Sequence, residues 1–359
     1  MSSQAEPTDD FEGIAARAPN RHAAFQPHRK GAMGRAHDLL HATPALVPMI
    51  VLIAAVAVFG LVLGAKFFSP FALTLILQQV QIVGVLAAAQ SLIVLTAGID
   101  LSVGATAVFC SVIMGKLVFE VGLPAPLAVL AGLIAGTAIG GLNGWLVSRV
   151  RLPPFIVTLG MWQIVLAATY LYSGNETIRA QDIEATAPFL QFLRGKLQLG
   201  GATLTFGVIL MLLLVLVLAY ALRSTAWGRH VYAVGDDPEA AALAGVNVHR
   251  TLMSVYLLVG LICALAGWVM IGRFGSVSPS ATTGVIGNIQ SITAVVIGGI
   301  SLFGGRGSIL GAFFGALIVG VFELGLRMAG ANPQWTFLLI GALIIGAVAV
   351  DQWIRKVSA

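Results

Sequence analysis

Residues 204–222 read Leu-Thr-Phe-Gly-Val-Ile-Leu-Met-Leu-Leu-Leu-Val-Leu-Val-Leu-Ala-Tyr-Ala-Leu, and residues 335–350 read Trp-Thr-Phe-Leu-Leu-Ile-Gly-Ala-Leu-Ile-Ile-Gly-Ala-Val-Ala-Val. Neither run carries a charge, and neither alternates with period two. A helix needs about 20 mostly apolar residues to cross a bilayer, and in lipid only helices and closed barrels satisfy their own backbone. Barrel strands would alternate lipid-facing with lumen-facing residues, so these runs specify helices. The whole chain agrees: 58% of its 359 residues are hydrophobic and only 10% charged, with mean hydropathy +0.94. A soluble domain has roughly 25% charged residues. This chain cannot cover a globular surface with polar groups, and lipid must be its solvent. The predicted fold class is an all-α membrane protein, a polytopic bundle.

Working outward from those runs, about ten segments have spanning length: 46–64, 72–96, 102–120, 127–148, 155–173, 203–222, 251–272, 285–302, 308–328 and 335–352. Residues 1–40 are polar, rich in Ala, Pro, Arg and His, and lack the apolar core of a signal peptide. They read as a disordered cytoplasmic tail, with the membrane domain occupying 41–359. Cys110 and Cys263 each sit inside an apolar run, which suits packing rather than a disulfide or a metal site. No cofactor is expected. The pI near 9.5 does not argue for nucleic acid, because excess Lys and Arg in a membrane protein records which loops face the cytoplasm.

Placing the N-terminus inside and alternating the spans puts thirteen of the twenty basic residues in the cytoplasm: Arg17, Arg21, Arg29, Lys30, Arg35, Arg149, Arg151, Arg223, Arg229, Arg250, Arg306, Arg355 and Lys356. The seven others, Lys66, Lys116, Arg179, Arg194, Lys196, Arg273 and Arg327, fall outside. The expected orientation therefore has both termini inside.

The longest cytoplasmic loop contains Ala233-Val-Gly-Asp-Asp-Pro-Glu-Ala-Ala-Ala-Leu-Ala-Gly-Val-Asn-Val248. Asp236 or Asp237 can N-cap a short helix, Pro238 suits its first turn, and Glu239 suits its positive end. Ala240 and Ala241 continue a slim helix that Gly245 ends. Such a helix fits a shallow groove on a partner, and it equally fits an ordinary capped turn between two spans.

Glu239-Ala240-Ala241 with Gly245 resembles the Glu-Ala-Ala…Gly loop of ATP-binding-cassette importer permeases. Gly98-Ile-Asp-Leu-Ser-Val-Gly104 and Val296-Ile-Gly-Gly-Ile-Ser-Leu-Phe-Gly-Gly-Arg-Gly-Ser308 resemble the hallmark segments of the ribose-type sugar permeases. The likeness runs from about residue 46 to 356. Lys66-Phe-Phe-Ser69, Thr74-Leu-Ile-Leu-Gln-Gln79, Leu152-Pro-Pro-Phe-Ile-Val-Thr-Leu-Gly-Met-Trp-Gln163 and Asn175-Glu-Thr-Ile-Arg-Ala-Gln-Asp182 look closest to the rhizobial fructose-importing branch of that family. The resemblance implies a permease fold in a bacterial inner membrane, working as a homodimer or paired with a paralogue. It also implies a periplasmic sugar-binding protein that delivers cargo, and a cytoplasmic ATP-binding subunit that docks on the helix of Asp236, Asp237, Pro238, Glu239, Ala240, Ala241 and Gly245. The cargo implied is fructose, with mannose and ribose as related sugars. None of the five lysines lies in a Gly-x-x-x-x-Gly-Lys-[Ser/Thr] phosphate loop, so the chain is expected to be no enzyme of its own. A bulky or charged residue at Ala241 or Gly245 should uncouple transport. The longer Ile-x-Leu-Pro ending of other importer families is missing here.

Sugar needs amides and hydroxyls along its way. Gln79 and Gln90 are eleven residues apart, about three helical turns, and share a face; Asn143 and Gln163 are further intramembrane amides. All four are expected either to line the pathway or to bond neighbouring helices. Around Asp100, Gly98 permits a break and Asp100 or Ser102 can cap the next helix. That segment is either a cytoplasmic turn or a break inside the membrane exposing polar backbone to the pathway. Gly98, Ile99 and Leu101 align with Gly299, Ile300 and Leu302 as a faint internal echo. Asn288 and Gln290 stand where ribose-type permeases often carry an acid, which removes one candidate anchor. Glu323 and Arg327 are spaced to pair on one helix face, and Gly132, Gly136 and Gly140 to let two helices approach closely. An ion-coupled secondary transporter is the rival reading; it would require ionisable groups at the bundle centre, for which Asp100 and Glu323 are the candidates. A purely scaffolding membrane protein would leave the amides and the capped loop unexplained.

Overall fold

The computed structural model describes residues 45–199, 201–332 and 334–358; the expected tail, 1–40, lies outside them. Thirteen α-helices are found among the described residues. Helix α1 is Leu46–Leu63, α2 Pro70–Leu95, α3 Val103–Phe119, α4 Ala125–Ser148, α5 Pro154–Ser173 and α6 Ala180–Thr186. After a hairpin of β1, Lys196–Leu199, and β2, Ala202–Thr205, come α7 Phe206–Ser224, α8 Ala226–Asp236, α9 Pro238–Leu243 and α10 Val248–Phe274. The chain continues with α11 Ala281–Ile297, α12 Ile309–Met328 and α13 Gln334–Ser358. Seven helices are long and apolar enough to cross a membrane, and α3, α11 and the 334–346 part of α13 are shorter apolar helices. Together they occupy the ten segments read from the sequence, so the chain is a polytopic helical membrane protein.

Two boundaries moved for physical reasons. The sixth segment begins at Phe206 rather than 203, because 202–205 pairs as a strand with 196–199 and Thr205 caps the helix by accepting from the Val208 N–H at 3.3 Å. The eighth starts earlier, at Ala281 under a Ser280 cap (3.2 Å to the Thr283 N–H), and stops at Ile297, where Gly298 and Gly299 turn the chain.

Helices α2 and α10 form the centre. In their most apolar stretches, 61% and 72% of the residues are buried, against 17% in α1. Around them, α10 packs on α4 and α3, while α2 packs on α12, α11 and α7. Because lipid is as apolar as Leu, burying Leu does not select a partner; close van der Waals contact does. The α4–α10 seam shows this. A Cβ added at Gly136 would lie 2.6 Å from the Gly260 oxygen, and one at Gly140 would lie 2.2 Å from the Tyr256 oxygen. The Gly136-x-x-x-Gly140 spacing thus sets the two backbones in contact, as the sequence suggested. Gly132 instead receives the Met114 side chain.

Opposite the end that carries α9, the chain between α5 and α7 forms a cap. Ile178 and Val277 exchange backbone hydrogen bonds (2.9 and 3.1 Å), and Phe189, Phe192 and Trp268 cluster with ring centroids 5.6–6.2 Å apart. The buried Lys116 ammonium at the end of α3 is satisfied by Glu120 at 2.5 Å and Glu176 at 3.4 Å.

Gly140→Ala forces a Cβ into a backbone carbonyl that cannot move aside, and overpacking of this kind costs about 1–3 kcal/mol. Gly160, with no atom of the described residues within 4 Å of an added Cβ, should instead gain up to about 1 kcal/mol as Ala. Thermal unfolding in detergent should separate the pair, and equal midpoints would contradict the seam.

Candidate functional site

The end of α2 is where the backbone departs from helix. Gly98 N–H donates to Ile93 O at 3.0 Å, closing the helix through Ala97, which sits at φ +59°. The chain then runs as an irregular stretch, 98–102, beside Gln90 of α2 before α3 begins at Val103. Asp100 is 2% exposed and Ser102 1%, so the stretch lies inside the bundle. The stretch is a break between α2 and α3 that is buried against neighbouring helices.

An irregular segment makes no ladder of its own, and in a lipid-embedded core each unsatisfied backbone group costs several kcal/mol. Here three helices supply partners for main-chain groups and a fourth for a side chain. Thr158 of α5 donates to Ile99 O at 3.1 Å. Gln90 of α2 clamps the Asp100 backbone at both groups once its amide is oriented to pair donors with acceptors, which sets its nitrogen 3.0 Å from the carbonyl oxygen and its oxygen 3.3 Å from the N–H. Asn288 of α11 donates to Leu101 O. Asn143 of α4 donates to the Ser102 hydroxyl at 3.2 Å, while Ser102 gives both its N–H (2.7 Å) and its hydroxyl (2.6 Å) to one oxygen of the Asp100 carboxylate. Three expected site residues, Gln90, Asp100 and Asn143, are therefore brought together. Asp100 acts as an Asx cap for the turn into α3, and two of the amides work on the break rather than standing free. Around the same stretch, Asn143 Oδ1, Asn288 Oδ1 and the Tyr256 hydroxyl are buried without a partner among the described residues, and these groups suit a hydroxyl-bearing guest or water.

The remaining amides lie elsewhere. Gln79 donates to Glu323 Oε1 at 2.9 Å, and Arg327 holds the same oxygen at 3.2 Å; with Arg273 they border a small cavity between α2, α10 and α12. Gln163 is exposed on α5. Gln78 and Gln81 tie α2 to strand β2, through Thr203 O at 3.1 Å and the Thr205 hydroxyl at 3.0 Å.

At the α9 end, the Asp237 carboxylate accepts from the N–H groups of Glu239 (2.9 Å) and Ala240 (3.0 Å). The cap is Asp237; Asp236 ends α8. Gly245 at φ +86° stops α9, with its N–H on Ala242 O and that of Val246 on Ala241 O, both 3.0 Å. Ala241 is 5% exposed and seats α9 on its own chain. Glu239, Ala240 and Ala242 face outward, as does Leu243 at 91% exposure. Beneath them Tyr232 of α8 donates to Gly307 O at 2.9 Å; burial pushes its phenol above the usual range, which keeps it a neutral donor.

Sequence reasoning did not single out Thr158, Tyr256 or Leu243 and read Asn288 as a lost anchor. Thr158 and Tyr256 sit in apolar runs with nothing to distinguish them from helix-packing hydroxyls. Leu243, a lone large hydrophobe in a polar loop, carried a signal. Asn288 matters because the Leu101 carbonyl needs a donor, which an ionised carboxylate cannot supply.

Asn288→Asp therefore replaces the donor with an acceptor. The expected loss is about 1–3 kcal/mol by thermal unfolding, with Asn288→Gln recovering part of it. An unchanged Asp variant would show that the clamp is dispensable. Ala97→Gly relieves a left-handed residue and should gain about 1 kcal/mol in the same assay.

The family described as the branched-chain amino acid transport system / permease component matches residues 72–348. A fructose import permease protein of Rhizobium meliloti is 62% identical over 358 residues, covering 100% of this chain and 99% of the relative. A ribose import permease protein of Escherichia coli K12 is 35% identical over 308 residues, covering 86% and 92%. A galactose/methyl galactoside import permease protein of Haemophilus influenzae is 32% identical over 272 residues, covering 72% and 80%. No solved structure matches. Between the family match across nearly all the spans and a relative that aligns end to end, the chain belongs to the permease-component family of bacterial transport systems, as a multi-pass membrane subunit.

Proposed function

We propose that the chain is the membrane-spanning subunit of an ATP-driven, binding-protein-dependent monosaccharide importer. Fructose is its cargo, and mannose and ribose are related sugars it can carry. The observation that carries this is the end-to-end 62% identity with a fructose import permease, which includes the spans, the break and α9. ATP hydrolysis belongs to a separate cytoplasmic subunit, since the sequence has no phosphate loop. That subunit docks on α9, whose outward Glu239, Ala240, Ala242 and Leu243 offer a slim surface with one apolar knob. Arg149, Arg151 and Arg306 in connecting segments, Arg223 and Arg250 in the end turns of α7 and α10, and Arg229 in α8 lie near the α9 end in the chain, supporting a cytoplasmic α9 and cytoplasmic termini in the inner membrane. A periplasmic sugar-binding protein delivers to the opposite face.

Two copies, or this chain with a paralogue, form the passage. The reading is supported by the amides of 90 and 143 being engaged within the chain itself, on the Asp100 backbone and the Ser102 hydroxyl, whereas Gln163 faces outward and Gln79 borders a cavity. Gln79 and Gln163 are the amides that sugar hydroxyls would meet, while Gln90, Asp100 and Asn143 shape the wall behind them. Ion coupling finds less support: one oxygen of Asp100 is held by Ser102, and Glu323 is paired with Arg327.

Vesicles holding the chain, its ATPase and its binding protein should take up labelled fructose only with ATP inside the compartment facing the ATPase. Uptake driven by an ion gradient without the ATPase would decide for secondary transport. Leu243→Glu should weaken ATPase association about tenfold, ~1.4 kcal/mol, while leaving membrane insertion intact. Full co-purification of the ATPase with this variant would remove Leu243 from the docking surface.

A further inference from the structure

Three stretches of backbone meet next to the cap of α9. A Cβ added at Gly235, near the end of α8, would lie 1.8 Å from the Leu95 oxygen and 2.8 Å from the Gly305 nitrogen. Gly305 N–H donates to that same Leu95 oxygen at 3.0 Å. Gly304, at φ +83°, abuts the Gly235 oxygen, with 2.4 Å left for an added Cβ, and the Cβ of Ala97 at 2.8 Å. Gly305, at φ +69°, stands against Asp236 in the same way, 2.7 Å from its Cα. The end of α2, the end of α8 and the loop between α11 and α12 therefore touch main chain to main chain.

Each arm of this junction leads somewhere. From Gly235 the chain runs through Asp236 to the Asp237 cap and α9. From Leu95 it runs through Ala97 into the break at 98–102. The third arm is tied back to α8 by the Tyr232–Gly307 hydrogen bond.

We propose that Gly235, Gly304 and Gly305 are positioning residues of the transport cycle, forming the link through which displacement of α9 moves the backbone break at 98–102. Side-chain contacts absorb small displacements by changing rotamer, but main-chain contacts at van der Waals distance have no such slack. A shift of α8 must pass into whatever Leu95 and Gly305 are attached to. On the α2 side, the helix below Leu95 is held by its own hydrogen-bond ladder. The stretch beyond Ala97 has no such ladder: between Gly98 N–H, bonded to Ile93 O, and Ser102 O, bonded to the Thr106 N–H, its main-chain groups are met by the side chains of Gln90, Asp100, Thr158 and Asn288, so it is where the chain yields. Interfaces of this kind switch between discrete packings rather than deform smoothly. The inference deepens the proposed function, because it rests on α9 being the surface that the ATPase grips.

Amide hydrogen exchange on the complete complex in nanodiscs, with and without a non-hydrolysable ATP analogue, tests it. The amides of residues 98–102 should change their exchange rate at least tenfold when the analogue binds. Gly235→Ala should abolish that response and lower fructose uptake more than tenfold, while the ATPase remains bound and its basal hydrolysis continues. An intact complex in which 98–102 is silent to the analogue overturns the link and leaves the docking reading standing. So does Gly235→Ala retaining both response and uptake. A chain that never binds the ATPase overturns both. If Gly235→Ala fails to insert, the wild-type exchange measurement still decides.

Discussion

Five residues of unwound backbone, 98–102, set a requirement that the surrounding bundle is built to meet. Water is not at hand to satisfy a carbonyl or N–H in the core of a lipid-embedded protein, so every such group must find a partner within the chain. Making one interhelical hydrogen bond yields little, about 0.6 kcal/mol on average, since the alternative states also find partners. Leaving a group unmade costs several times that. The asymmetry explains why Thr158, Gln90 and Asn288 converge on the main chain of one short stretch from three helices, while Asn143 of a fourth holds the Ser102 hydroxyl. Their combined effect is specification: α2, α4, α5 and α11 can take only the arrangement that serves all the groups at once.

That arrangement in turn needs close helices, and close helices need the missing Cβ atoms. Asn143 reaches Ser102 from a helix whose Gly136 and Gly140 lie against Gly260 and Tyr256. At the start of α3, an added Cβ on Gly104 would lie 2.1 Å from the Gly284 oxygen, one turn before Asn288. Polar clamp and glycine seam are one device. The seams set the distance at which short amide side chains can span from helix to backbone, and longer side chains at those positions would leave the amides out of reach.

The polytopic helical bundle was legible because hydropathy is decided by the solvent, and 204–222 or 335–350 can hardly be anything else. The caps at Asp237 and Gly245 were legible for the same local reason: their partners lie within four residues. What the sequence withheld was direction. The spanning helices are apolar nearly all round, so the pattern does not say which face meets a neighbour, and Gln79 and Gln90 share a face yet serve different partners, Glu323 and Asp100. Asn288 showed the limit most clearly. Read against an expected acid it looked like a lost anchor, and only the Leu101 carbonyl reveals it as the donor that an ionised acid could not be. The internal echo also needed correction. In three dimensions the positive-φ turn residues are Ala97 and Gly299, each followed by an N–H bonded five residues back, Gly98 to Ile93 and Ile300 to Val295. The equivalence is thus one residue off the sequence alignment that paired Gly98 with Gly299.

The same correction explains why the two hallmark segments belong together. Both helices end in the same reversed turn, and the loop that follows the second turn meets the first, Gly304 resting on Ala97 and Gly305 on Leu95. One turn sends its chain back into the bundle as the break; the other passes under α8. If energy arrives at α9, as proposed, it needs a rigid path from there to the polar groups in the core. Helices supply rigidity along their length, but only where two turns interlock with a third helix end can motion pass sideways between them. On the proposed reading, the glycines of these segments are there for that contact, and the absence of phosphate-loop lysines beside them follows: they face neighbouring backbone, not nucleotide.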